Sequence, residues 1–145
     1  MGWVEEEVDI AGLKHLNEYL LGGNEMVRIV IPVEDEKRES LSEHFGRAPY
    51  FAWYELEEEK VVDKGIVPND SEHFGGIGVP PDRILQLRPY AVITFGMGPR
   101  ALSRFQSERV AVLQAVSSRV EENLNGFLKG DLKELTEGCL HAQHR

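Results

Sequence analysis

Residues 91–95 read Ala-Val-Ile-Thr-Phe and residues 110–113 read Val-Ala-Val-Leu, two short, almost wholly apolar runs with a polar stretch between them. A strand with one wet face alternates apolar and polar side chains, so strands like these must be covered on both faces. Between them, Gly96-Met97-Gly98-Pro99-Arg100 turns into a stretch with Leu102 and Phe105 at helical spacing. Strand, helix and strand in that order predict a parallel pair with the helix packed across it.

The preceding chain extends this unit. Val27 to Val33 is a third apolar run. Residues 50–56 (Tyr-Phe-Ala-Trp-Tyr-Glu-Leu) and 60–67 are two strand-like segments joined by Glu57-Glu58-Glu59, a connection short enough to predict an antiparallel hairpin. Pro68-Asn69-Asp70 ends the hairpin, Pro81 opens a helix carrying Ile84 and Leu85, and Pro89 stops it. After the last strand, Ser118 and Glu121 form a capping-box pattern for a helix with Val120, Leu124, Phe127 and Leu128 inward, closed by Gly130. The predicted order is β-β-β-α-β-α-β-α. It implies an α/β fold: a five-stranded mixed sheet, helices on its faces, and the last two strands parallel to the first.

The chain has 145 residues, enough for one domain and its core. Residues 1–25 stand apart. Asp9 caps an amphipathic pattern of Ile10, Leu13, Leu16, Leu20 and Leu21 that Gly22-Gly23 ends. This is either a helical extension or sequence ahead of a start at Met26, and both readings stand. The division expected is thus an extension (1–25), an α/β domain (26–130) and a polar tail (131–145). Six acids against Lys14 alone give the first 25 residues more than half of the formal charge of −9. An acidic chain without a basic run is poorly suited to nucleic acid. No basic n-region precedes an apolar stretch, no apolar run is long enough for a bilayer, and the single Cys139 rules out an internal disulfide, so a cytoplasmic protein away from membranes is expected.

The pentapeptide Ser-Glu-His-Phe-Gly occurs twice, at residues 42–46 and 71–75, in flanks that share nothing. Neutral imidazole is the commonest protein metal ligand, and glycine lets backbone approach a bound group. His44 and His73 are therefore candidate ligands, against the plainer reading of surface-loop or helix-capping histidines. In open α/β sheets ligands gather beyond the carboxyl ends of the parallel strands, where the His44 loop and the turn after Phe95 should meet. A helix starting at Pro99 would turn free N–H groups and its positive end toward that edge, with Arg100 as a further donor; equally, Gly96 and Gly98 suit a tight strand-to-helix turn. The terminal Cys139, His141 and His144 could wrap a soft metal, though at no standard zinc spacing. There is no GxGxxG or GxxxxGK[ST] pattern and no paired carboxylates at the strand ends, so nucleotide-dependent or hydrolytic catalysis has no support.

The run SEHFGRAPYF, directly downstream of an RIVIPV strand, resembles the signature of the dinitrogenase iron–molybdenum cofactor biosynthesis family. The resemblance runs from residue 26 to about 130 and takes in AVITFGMGPRAL and the VEENLNGFLKG helix. It implies a ribonuclease-H-like fold and a carrier, not an enzyme, for a molybdenum–iron–sulfur type cluster or its precursor, working with other cofactor-assembly proteins. It further implies that His44 binds the cluster, with Phe45, Gly46 and Arg47 around it, and that Gly96, Met97, Gly98 and Arg100 border the same site. His73, Cys139 and His141 would complete a metal set. The rival is a protein-interaction or regulatory module on the same fold that binds no metal.

Overall fold

The computed structural model describes residues 26–70 and 80–136. Its elements are β1 (Val27–Val33), a 3₁₀ turn (Phe45–Arg47), β2 (Tyr50–Glu57), β3 (Lys60–Pro68), α1 (Pro80–Leu85), β4 (Ala91–Thr94), α2 (Pro99–Ser107), β5 (Ala111–Gln114) and α3 (Val120–Lys129). The sheet has five strands in the order β3-β2-β1-β4-β5. The β2–β3 hairpin is antiparallel and adds to β1 antiparallel, while β1, β4 and β5 run parallel, as expected from the sequence.

Side-chain alternation sorts the core onto the two faces of the sheet. Ile29, Ile31, Ala52, Tyr54, Leu56, Ile93 and Leu113 meet Val120, Leu124 and Phe127 of α3. On the opposite face Val30, Phe51, Val92 and Val112 meet Ile84 of α1 with Leu102 and Phe105 of α2. All four residues of β4 are buried, as a strand covered on both faces requires.

Two details depart from the sequence reading. The N-cap of α3 is Arg119 rather than Ser118, and no side chain caps it. The buried Asn123 does the ordering instead: its amide donates to the carbonyls of Ser117 and Arg119 at 2.8 Å each and its oxygen accepts from the N–H of Val116. Helix α1 ends at Leu85, before Pro89, with Arg88 in the left-handed region at φ 54°. Beyond α3, Leu132 is buried, the N–H of Gln114 donates to the carbonyl of Lys133 and that of Leu135 to the carbonyl of Val112, so residues 132–135 cover the edge of β5. The predicted helix at 9–21 and residues 137–145 lie outside the described residues.

Half-buried Arg28 ties three segments together. It bonds Glu55 on β2 at 2.5 Å, donates to the carbonyl of Leu87 at 2.7 Å, and lies 5.2 Å from the centre of the Trp53 ring. The same indole lies over Gly65 of β3, where a Cβ would fall 2.3 Å from the ring. Gly65 is therefore the space into which Trp53 packs.

Candidate functional site

The carboxyl edge of β1, β4 and β5 is built from loops laced to one another. After β1 the chain returns so that Leu41 bridges Val33 and the N–H of Ser42 donates to the carbonyl of Pro32. The N–H of Leu41 donates to Ser118 and that of Val120 to Glu39, which joins this loop to the entry of α3. His44 thus sits on a short segment held from below and from one side.

The first Ser-Glu-His-Phe-Gly is clamped at both its serine and its phenylalanine. The Ser42 side chain is buried, and its hydroxyl lies 3.2 Å from the carbonyl and 3.4 Å from the N–H of His44. Phe45 is buried on the α1–α2 face, edge-on to Phe105 at 5.8 Å and tilted against Phe51 at 6.3 Å. Between these anchors the His44 side chain is exposed, as is Arg47. Gly46 is half-buried, and a Cβ there would lie 3.8 Å from Pro80.

The second predicted stretch enters from the same edge. Met97 is buried in the same cluster as Phe45, so the His44 turn and the Gly96–Gly98 turn share one apolar root. Gly98 is the N-cap of α2 without a side-chain cap, and Pro99 takes the first helical position, where no N–H is needed. The uncapped first turn of α2 and the exposed Arg100 make this rim favourable to an anion. A shallow hollow of about 420 Å³ continues along α2 between Arg100, Ser103 and Arg104.

His73, Cys139 and His141 lie outside the described residues, as does the second pentapeptide. The described residues that flank it converge on the first. Asn69, 5% exposed, donates through its side-chain amide to the carbonyls of Ala48 at 2.8 Å and Gly46 at 3.2 Å, and its N–H bonds Pro49. Asp70 pairs with Arg83 of α1 at 2.6 Å, and Pro80 packs by Gly46. Among the described residues no three His, Cys, Asp or Glu side chains come together as a metal-binding group. Ser42 and Asn69 carry the geometry of the site without having stood out in the sequence reading. The one available signal for Asn69 was its place in Pro-Asn-Asp, where asparagine favours a side-chain-to-backbone turn.

These features define a class: an α/β domain whose mixed sheet presents a histidine turn and a glycine turn at one strand edge. The chain belongs to the dinitrogenase iron-molybdenum cofactor family, whose model matches residues 27–130. It is 27% identical over 111 residues to an uncharacterized protein of Methanocaldococcus jannaschii, covering 75% of this chain and 92% of that one. The crystal structure of PH0822 superposes with a TM-score of 0.64 at 32% identity, over 76% of this chain and 96% of the other. The apo form of the orange protein from Desulfovibrio gigas superposes with a TM-score of 0.63 at 20% identity, over 78% and 96%, and so shares the fold. No helix among the described residues is long and apolar enough to cross a membrane.

Proposed function

We propose that this protein binds a molybdenum–iron–sulfur type cluster, or a precursor of one, and carries it between cofactor-assembly proteins without catalysing a reaction on it. The observation that carries this reading is the presentation of His44: an exposed imidazole on a backbone segment held on both sides by Ser42 and Phe45. Family membership supplies the cargo class. A pre-oriented ligand loses little entropy on binding, whereas a single imidazole releases its cargo readily, and both suit a carrier.

His44 is the first ligand. The backbone of Phe45 and Gly46, with Arg47 and Arg100, forms a rim for an anionic cluster, and the Gly96–Met97–Gly98 turn closes the adjacent side. His73 is the second ligand: Asn69, just ahead of its segment, donates to the carbonyl of Gly46, and Pro80, just after it, would lie 3.8 Å from a Cβ at Gly46. Cys139 and His141 complete the set. Residues 26–130 are the cargo-binding unit, residues 1–25 an extension and residues 131–145 a ligand-bearing tail. One cysteine cannot supply the four thiolates of an ordinary iron–sulfur site, so the cluster arrives assembled.

The test is anaerobic incubation of the full chain with iron, molybdate and sulfide, followed by desalting and measurement of bound metal and the visible spectrum. Wild type retains metal and charge-transfer absorbance, His44→Ala loses most of it, and Arg109→Ala, at an exposed position beyond α2, does not. Retention by His44→Ala equal to wild type refutes the assignment. Wild type that stays metal-free while His44→Ala alters capture of a partner protein supports the interaction-module alternative.

A further inference from the structure

The face of the sheet opposite Phe45 and Met97 carries a cavity that the cluster-carrier reading does not use. It holds about 530 Å³ and lies between the β2–β3 hairpin, the loop after β1 and the start of α3. Its apolar wall is Val61, Val120 and Leu124, with Tyr54 beside them. Lys37, Arg38, Lys64 and Arg119 line it too, against two acids, Glu39 and Glu121. A net positive lining in a chain of formal charge −9 runs against the character of the whole molecule.

These cations are not spent on neighbours. Lys37, Arg38 and Lys64 make no ion pair among the described residues, and the carboxylate nearest Arg119 belongs to Glu122, 3.7 Å away on an exposed helix turn. Arg38 adopts φ 62°, a left-handed conformation that costs a residue with a Cβ about 1–2 kcal/mol. It is held there by its N–H to the carbonyl of Asp35 at 3.1 Å, while the Asp35 carboxylate accepts from the N–H of Glu39 at 3.2 Å. The Arg38 charge is felt at Tyr54: burial pushes that hydroxyl up to about 12, and Arg38 opposes the rise. The Tyr54 hydroxyl makes no hydrogen bond among the described residues and is free to donate.

We propose that this cavity binds a small organic phosphate, its phosphate held by Arg38, Lys64 and Arg119 and its apolar body against Val61, Val120 and Leu124. A phosphate monoester carries close to two negative charges near neutral pH and three strong acceptor oxygens, which suits arginine forks and an unengaged hydroxyl donor. The cavity is within the usual size of small-molecule sites and much larger than inorganic phosphate needs. The site is independent of the cluster-carrier reading, because Tyr54, Val120 and Leu124 belong to the core layer on the other side of the sheet from Phe45 and Met97.

The test is isothermal titration of the full chain at low ionic strength with AMP, adenosine and inorganic phosphate as separate probes. AMP binds, adenosine and inorganic phosphate each bind at least about tenfold more weakly, and added salt weakens AMP. Arg38→Gly, which keeps the backbone conformation at no steric cost, and Lys64→Gln each weaken AMP by about five- to tenfold, with circular dichroism unchanged. His44→Ala leaves AMP binding as in wild type. The proposal is overturned if AMP gives no heat at millimolar concentration, if adenosine or inorganic phosphate matches AMP, or if the two cavity variants bind as wild type does.

Discussion

Asn69 links the end of the hairpin to the turn that presents His44, and substituting it tests how that turn is held. In wild type its side-chain amide serves two carbonyls at once, Ala48 at 2.8 Å and Gly46 at 3.2 Å, at a position 5% exposed. A hydrogen bond contributes about 0.5–1.5 kcal/mol net, and a buried carbonyl stripped of its donor adds a desolvation cost of about 1–3 kcal/mol. Part of that cost is recovered if water reaches Gly46, which is half-buried. Asn69→Ala should therefore lose about 2–3 kcal/mol. Asn69→Asp keeps the shape but sets a carboxylate oxygen against the same carbonyls, so it should lose more than the alanine variant at pH 7. That excess should shrink toward pH ~4, where protonation of the aspartate returns one donor. Urea unfolding followed by circular dichroism, analysed with a common slope, measures all three proteins. An alanine variant within about 0.5 kcal/mol of wild type, or an aspartate variant no worse than alanine at pH 7, would refute the reasoning.

Gly65→Ala places a Cβ 2.3 Å from the Trp53 ring and should cost about 1–3 kcal/mol as the indole shifts off Arg28. In a Trp53→Ala background the same substitution should cost far less, and additive losses in the double-mutant cycle would disprove the packing account. Burial raises Tyr54 from 10.0 to about 12, and burial with Glu134 nearby raises Tyr90 further. Each favours the folded state fully below pH 10 and loses that contribution as pH rises toward 12 and beyond, so unfolding free energy should fall across that window. Tyr90→Phe removes a buried hydroxyl with no hydrogen-bond partner among the described residues. It should leave stability at pH 7 equal or higher and flatten the alkaline decline, and a loss above about 1 kcal/mol at pH 7 would contradict this.

Local pattern was enough for most of the architecture. Unbroken apolar runs at residues 91–93 and 111–113 require cover on both faces, and the short acidic turn at 57–59 favours an antiparallel hairpin. The last helix shows where such reading stops. Ser118 and Glu121 matched a capping box, but a cap depends on where the chain turns, and the bond between Val120 N–H and the Glu39 carbonyl starts the helix one residue later. Asn123, an unremarkable polar letter inside a helix, became the buried organiser of that turn.

The site divides in the same way. Sequence alone determined that His44 lies in the loop after the first strand and that a glycine turn follows β4, because both are statements about neighbours along the chain. Only the tertiary structure decided that Phe45 and Met97 share one apolar root, that Asn69 binds the first motif, and that Lys64 and Arg38 line a cavity with Arg119. Those residues are far apart in sequence. Their meeting depends on strand order and register, which arise from how the two faces of the sheet are filled and not from any local preference.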